Sequence, residues 1–117
     1  MMKPLGVHIL ADAYECDYDL LNDEKGIEKM MIEAAKAAGA TIISTCFHKF
    51  NPQGVSGVVV IAESHLSIHT WPELNCATID VFTCGENVDT EKACQLVCKG
   101  LNAGNVKIEK LVRGDMK

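Results

Sequence analysis

The amino-acid sequence predicts an α+β fold, a two-layer sandwich whose mainly antiparallel sheet is covered on one face by two helices. Three observations carry this expectation. Segments with the alternation of strands outnumber helical ones, and they follow one another through short turns, which favours antiparallel pairing. Only two stretches repeat apolar residues at helical spacing, one in each half of the chain. Two helices cover a single sheet face, so the other stays open and hints at dimerisation.

Each element follows from its local pattern. Gly6 to Tyr14 alternates, with Val7, Ile9, Ala11 and Ala13 on one face. Asp17 to Asp23 is a polar turn region able to cap a helix. Ile27, Met30, Met31, Ala34, Ala35 and Ala38 then recur at helical spacing, and Gly39 ends the helix. Thr41 to Phe50 is β-branched and aromatic, and Asn51-Pro52-Gln53-Gly54 turns it into the apolar strand Val55 to Ala62. Next, His65, Ser67, His69 and Trp71 alternate with Leu66, Ile68 and Thr70 until Pro72 stops the strand. Cys76 to Thr83 sets Ala77, Ile79 and Val81 against Thr78, Asp80 and Phe82, and Cys84-Gly85 closes it. Asp89 or Thr90 caps the second helix, which carries Ala93, Leu96, Val97 and Leu101, and Gly104-Asn105 leads into a last strand, Val106 to Val112.

Composition narrows the classes of function. A chain of 117 residues fits one domain with a real core. Apolar content of 48% with 23% charged residues argues against disorder. The net charge is −5 and the Lys and Arg residues are scattered, so neither a nucleic acid nor a membrane surface is an expected partner. The longest apolar run, Val55 to Ala62, is far too short to span a bilayer. Lys3, Pro4, Gly6 and Asp12 do not make a secretory signal, so the six cysteines are expected to be reduced thiols of a cytoplasmic protein.

Chemistry concentrates in Glu63-Ser64-His65-Leu66-Ser67-Ile68-His69-Thr70-Trp71-Pro72-Glu73. Two imidazoles, two serines, two carboxylates and the single tryptophan fall into one short stretch. A metal site is not expected, because His65 and His69 lie about 13 Å apart along a strand. The cysteines at 94 and 98 share a helix face without a second ligand pair, and buried small side chains explain them. Ser64 lies outside Gly-x-Ser-x-Gly, so a hydrolase elbow is absent. What remains is a serine at a break between two strands, preceded by glutamate and close to histidines. A hydroxyl so placed can attack the preceding carbonyl where the peptide is strained and a base is near.

The same run resembles the processing segment of the prokaryotic S-adenosylmethionine decarboxylases, pyruvoyl-dependent enzymes of polyamine synthesis. The likeness extends to Leu5-Gly6-x-His8, Phe47-His48-Lys49-Phe50, Pro52-Gln53-Gly54-Val55-Ser56-Gly57, Asp80-Val81-Phe82-Thr83-Cys84-Gly85-Glu86 and Arg113-Gly114, essentially the whole chain in order. It departs at Asn75-Cys76, where many relatives carry a Gly-aromatic pair.

That resemblance implies a proenzyme cut between Glu63 and Ser64 into residues 1–63 (β chain) and 64–117 (α chain). Ser64 would attack the Glu63 carbonyl, and elimination from the resulting ester would leave a pyruvoyl group at residue 64. Ser56 and His69 match the residues that assist maturation, His69 as proton acceptor. The substrate amine would join the pyruvoyl ketone as a Schiff base, and Cys84 matches the proton donor. Phe50 would stack on adenine, Trp71 would help form the pocket, Glu73 would hold the ribose hydroxyls, and Leu66 would offer backbone groups to the adenine edge. S-adenosylmethionine is the implied substrate, decarboxylated for spermidine synthesis. The active site is expected between two protomers of a homodimer. Two rivals share these features: an arginine or ornithine decarboxylase on the same scaffold, and an unprocessed regulatory paralogue.

Overall fold

The computed structural model describes residues 4–84 and 87–114. Strand β1 (Gly6–Tyr14) is followed by a one-turn helix α1 (Tyr18–Leu21) and the longer α2 (Glu24–Ala37). Strands β2 (Ile42–Lys49), β3 (Val55–Ile61) and β4 (Ser64–Trp71) follow, then a 3-10 turn, β5 (Cys76–Thr83), α3 (Thr90–Gly100) and β6 (Asn105–Arg113). All six strands form one antiparallel sheet in the order β2-β3-β4-β5-β1-β6. The α+β sandwich expected from the sequence is the one observed.

The helices start where carboxylates meet free backbone N–H groups. Asp17 accepts from the N–H groups of Asp19 and Leu20, Asp23 from Gly26, and Asp89 from Lys92. The polar segment between Asp17 and Asp23 is thus a helical turn in its own right as well as a cap. Gly39, at φ +93°, ends the α2 region in a conformation that glycine adopts without steric cost.

One sheet face packs against α2 and α3. Ile9, Ala11, Ala13, Leu66, Ile68, Ala77, Ile79 and Val81 project from the strands, and Ile27, Met31, Ala34, Ala93 and Val97 meet them from the helices. Full burial of each large apolar side chain stabilises the fold by about 1.5–3 kcal/mol. Gly57 leaves room for the Phe47 ring across the ladder, where an added Cβ would overlap it. Among the described residues, no helix lies over the opposite face. It carries His8, Asp80 and Phe82 together with His65, Ser67, His69 and Trp71, on the side of β4 expected from its alternation. No helix among the described residues is long and apolar enough to cross a membrane.

Candidate active site

The β3–β4 hairpin presents the Glu63–Ser64 bond. Ile61 pairs with Ser64, so Ala62 and Glu63 form a two-residue turn. Such turns match the twist of their strands when one or both central residues have positive φ, as Gly and Asn allow. Neither Ala62 nor Glu63 does so; the positive φ falls on Ser64, at +145°. For a residue with a side chain this conformation costs on the order of 1–3 kcal/mol. The strain therefore sits on the residue that follows the bond.

The Glu63 carbonyl is polarised from β5. It accepts the backbone N–H of Cys84 at 2.8 Å and the Cys84 thiol at 3.1 Å. Two donors within 2.7–3.1 Å of a carbonyl oxygen make the arrangement that stabilises an oxyanion when a nucleophile adds. The Glu63 carboxylate accepts from the Thr41 N–H at 3.2 Å, and Ala62 N–H donates to the Thr41 carbonyl at 2.9 Å. These contacts hold the turn against the start of β2.

Around Ser64, the open sheet face carries a ring-and-charge cluster. Ser64 Oγ lies 3.4 Å from His65 Nδ1. The His65 ring stands edge-on to His8 at 6.4 Å and tilted against Phe82 at 6.0 Å, and Arg113 lies over the Phe82 ring at 5.9 Å. Arg113 donates to His8 Nδ1 at 3.0 Å, so neutral His8 carries its proton on Nε2. That atom is buried without a hydrogen-bond partner among the described residues, 3.9 Å from the Asp80 carboxylate, which Ser67 Oγ bonds at 3.2 Å. Burial lowers the His8 pKa below its ordinary 6.5; Asp80 opposes this, and Arg113 and His65 add to it.

At the far end of β4 lies a separate cleft of about 320 Å³, lined by Phe50, Gln53, Gly54, Ser56, His69, Thr70, Trp71 and Glu73. Inside it, Ser56 Oγ and His69 Nδ1 are 2.8 Å apart. The hairpin register makes them neighbours, because equal steps outward from the two-residue turn end on Ser56 and His69. Thr70 anchors the cleft from below, donating to the Leu21 carbonyl at 2.8 Å and accepting from Val55 N–H at 2.9 Å. Gly54 N–H bonds Asn22, and the Tyr18 hydroxyl bonds Gln53. Phe50 and Trp71 stay exposed, at 46% and 39%, beside the exposed Glu73.

Within one chain the expected residues thus fall into two groups. Ser64, Glu63 and Cys84 sit at one end of β4, and Ser56, His69, Phe50, Trp71 and Glu73 at the other. Five residues of strand, roughly 16 Å, separate Ser64 from His69. Leu66 joins neither group. Its side chain is fully buried in the core, and its backbone lies between β3 and β5, so the geometry gives it no support as a contact for adenine. Asn75, at the departure from the Gly-aromatic pattern, adopts φ +54° and donates to the Cys16 carbonyl at 3.2 Å. Asparagine tolerates this left-handed conformation, so the turn behind Glu73 survives the change. Gly85 and Glu86, the end of one motif, lie outside the described residues, as do Met1 and Met2.

Sequence reasoning missed the two contacts from Cys84 to the Glu63 carbonyl and the approach of His65 to Ser64. The hairpin register was available as a signal, since a two-residue turn at Ala62-Glu63 fixes every opposite pair along β3 and β4.

The comparisons with known proteins agree with one another. A model of the S-adenosylmethionine decarboxylase family matches residues 7–114. The chain is 54% identical over 113 residues to the S-adenosylmethionine decarboxylase proenzyme of Moorella thermoacetica, covering 97% of this chain and 90% of that one. The proenzyme of Syntrophomonas wolfei is 53% identical over 116 residues, with 99% and 92% covered. The crystal structure of the adenosylmethionine decarboxylase from Aquifex aeolicus superposes with a TM-score of 0.92 at 40% identity, covering 99% of this chain and 96% of the other. With the family model spanning nearly the whole chain and relatives above half identity, this protein belongs to the S-adenosylmethionine decarboxylase family.

Proposed function

We propose that this protein is a cytoplasmic proenzyme that cuts itself between Glu63 and Ser64 and then decarboxylates S-adenosylmethionine, supplying the aminopropyl donor for spermidine synthesis. The observation that carries the reading is the Glu63 carbonyl, held by two donors from Cys84 beside a Ser64 in strained conformation. A serine with only a structural duty has no need of either feature.

Ser64 Oγ adds to the Glu63 carbon, and negative charge develops on the oxygen already bonded to Cys84. Collapse breaks the peptide C–N bond and leaves an ester, with the Ser64 nitrogen freed as an amine and its backbone strain relieved. Removal of the residue-64 α-proton by His69, oriented by Ser56, then expels the Glu63 carboxylate. Tautomerisation and hydrolytic loss of ammonia convert residue 64 to a pyruvoyl group, giving chains 1–63 and 64–117. A pyruvoyl group at residue 64 supplies the electron sink for loss of carbon dioxide from an α-amino acid. Cys84, its thiol at the same end of β4, returns a proton to the substrate Cα.

The separation of the two residue groups supports a homodimer. Two copies packed open face to open face about a two-fold axis bring the Ser56–His69 end of one to the Ser64–Cys84 end of the other. Among the described residues no helix covers that face, which leaves room for such packing. The cleft suits the nucleoside part of the substrate: Phe50 and Trp71 offer aromatic surfaces to adenine and the sulfonium, and Glu73 offers a carboxylate to the ribose hydroxyls.

Release of carbon dioxide from carboxyl-labelled S-adenosylmethionine, arginine and ornithine tests the substrate. Release from S-adenosylmethionine alone is expected. Equal or faster release from either amino acid would overturn it, and no release from a chain that stays intact would favour a regulatory paralogue. The names of the relatives do not favour these alternatives.

A further inference from the structure

We propose that His65 is the base of the first maturation step, taking the Ser64 Oγ proton during attack on Glu63 and returning it to the departing nitrogen. This rests on the self-cleavage reading above and adds a residue to it. The Oγ proton needs an acceptor within hydrogen-bond reach, and His65 Nδ1, at 3.4 Å, is the ring nitrogen beside it. Catalytic hydrogen bonds in resting sites are often longer than in the reacting state. His69 of the same chain is far along the strand, and a His69 brought to Ser64 by a partner copy has its Nδ1 engaged by Ser56 at 2.8 Å.

The surroundings hold the His65 ring in place. Its position at the start of β4 is fixed by pairing with Val60 and Phe82, and its ring packs against those of His8 and Phe82, which also contact each other. His8 is in turn held by Arg113. In the tautomer with its proton on Nε2, His65 presents the Nδ1 lone pair to the serine. A ring nitrogen that accepts a proton can return it, as a group serving both halves of a single step must.

The proton balance closes. As the Oγ–C bond forms, the hydroxyl proton moves to His65 Nδ1 and the carbonyl electrons move onto oxygen, facing Cys84. As the C–N bond breaks, the same proton passes to the nitrogen. His65 ends neutral and the chain is isomerised from amide to ester. Removal of the α-proton is a separate event and falls to His69.

The two histidines are therefore distinguishable by what accumulates without them. Full-length His65→Gln and His69→Ala proteins are followed by denaturing mass spectrometry, with and without hydroxylamine, which cleaves esters but leaves amides. The His69→Ala chain is expected to accumulate the ester and split with hydroxylamine. The His65→Gln chain is expected to split about 100-fold more slowly than the parent and to resist hydroxylamine. His65→Ala is expected to regain cleavage with added imidazole, a rescue that lost packing would not show. Cleavage of His65→Gln at the parent rate, or its accumulation as a hydroxylamine-sensitive ester, would overturn the role of His65. A parent protein that never splits would instead overturn the self-cleavage reading.

Discussion

Ser64→Ala is expected to leave one uncleaved chain of 117 residues with no decarboxylase activity. The substitution removes the only atom of residue 64 able to form the ester, and no other hydroxyl in the turn can give a ketone at that position. The donors on the Glu63 carbonyl remain, so the inert protein should fold with the sheet and its register intact. The same variant tests the arrangement of protomers. Mixed with His69→Ala chains, it should lend its intact Ser56–His69 pair to a partner that still has Ser64, and the His69→Ala chain should then be cut. Electrophoresis and carbon dioxide release follow both outcomes. Efficient cutting of Ser64→Ala would remove Ser64 as nucleophile, and failure of the mixture to cut would argue against a site shared between copies.

Cys84→Ala is expected to act twice. The thiol supplies one of two hydrogen bonds to the Glu63 carbonyl, at 3.1 Å, while the backbone N–H at 2.8 Å stays. Loss of one such donor costs about 10²–10³ in rate, so cleavage should slow without stopping. Chains that do mature should then decarboxylate poorly, because the proposed proton donor is gone. Cys84→Ser separates these effects. A serine hydroxyl donates a hydrogen bond to the carbonyl but is a far weaker acid, so cleavage should recover while decarboxylation stays impaired. Time courses of cleavage and of carbon dioxide release from S-adenosylmethionine distinguish the two roles. Parent rates for both processes in Cys84→Ala would remove Cys84 from the mechanism.

The sequence disclosed the fold through periodicity. Gly6–Tyr14 and Cys76–Thr83 carry such regular alternation that their observed limits coincide with those read from pattern alone. Asp89 and Gly39 marked helix ends because a carboxylate cap and a positive φ have few substitutes. The Asp17–Asp23 region was harder: four helical residues between two aspartate caps leave too short a pattern for periodicity to register. The residues of the candidate site were proposed from the sequence because Glu63 to Glu73 resembles a processing segment. Their division into two ends was not, because a strand brings residues of one face into line without bringing them together. Sequence pattern is equally blind to the φ of Ser64, which is set by the mismatch between an Ala-Glu turn and the twist of the strands it joins. The contact between Cys84 and Glu63 depends on β5 lying beside β4, a matter of tertiary pairing.

The central claim is that the Glu63–Ser64 bond is a precursor linkage and that residue 64 ends as a pyruvoyl group. Intact-mass analysis of the purified protein under denaturing conditions tests it directly. Two chains are predicted, ending at Glu63 and beginning at residue 64, and the second should lack a free N-terminal amine. A single chain after prolonged incubation, a break elsewhere, or a second chain beginning with an unmodified serine would contradict it.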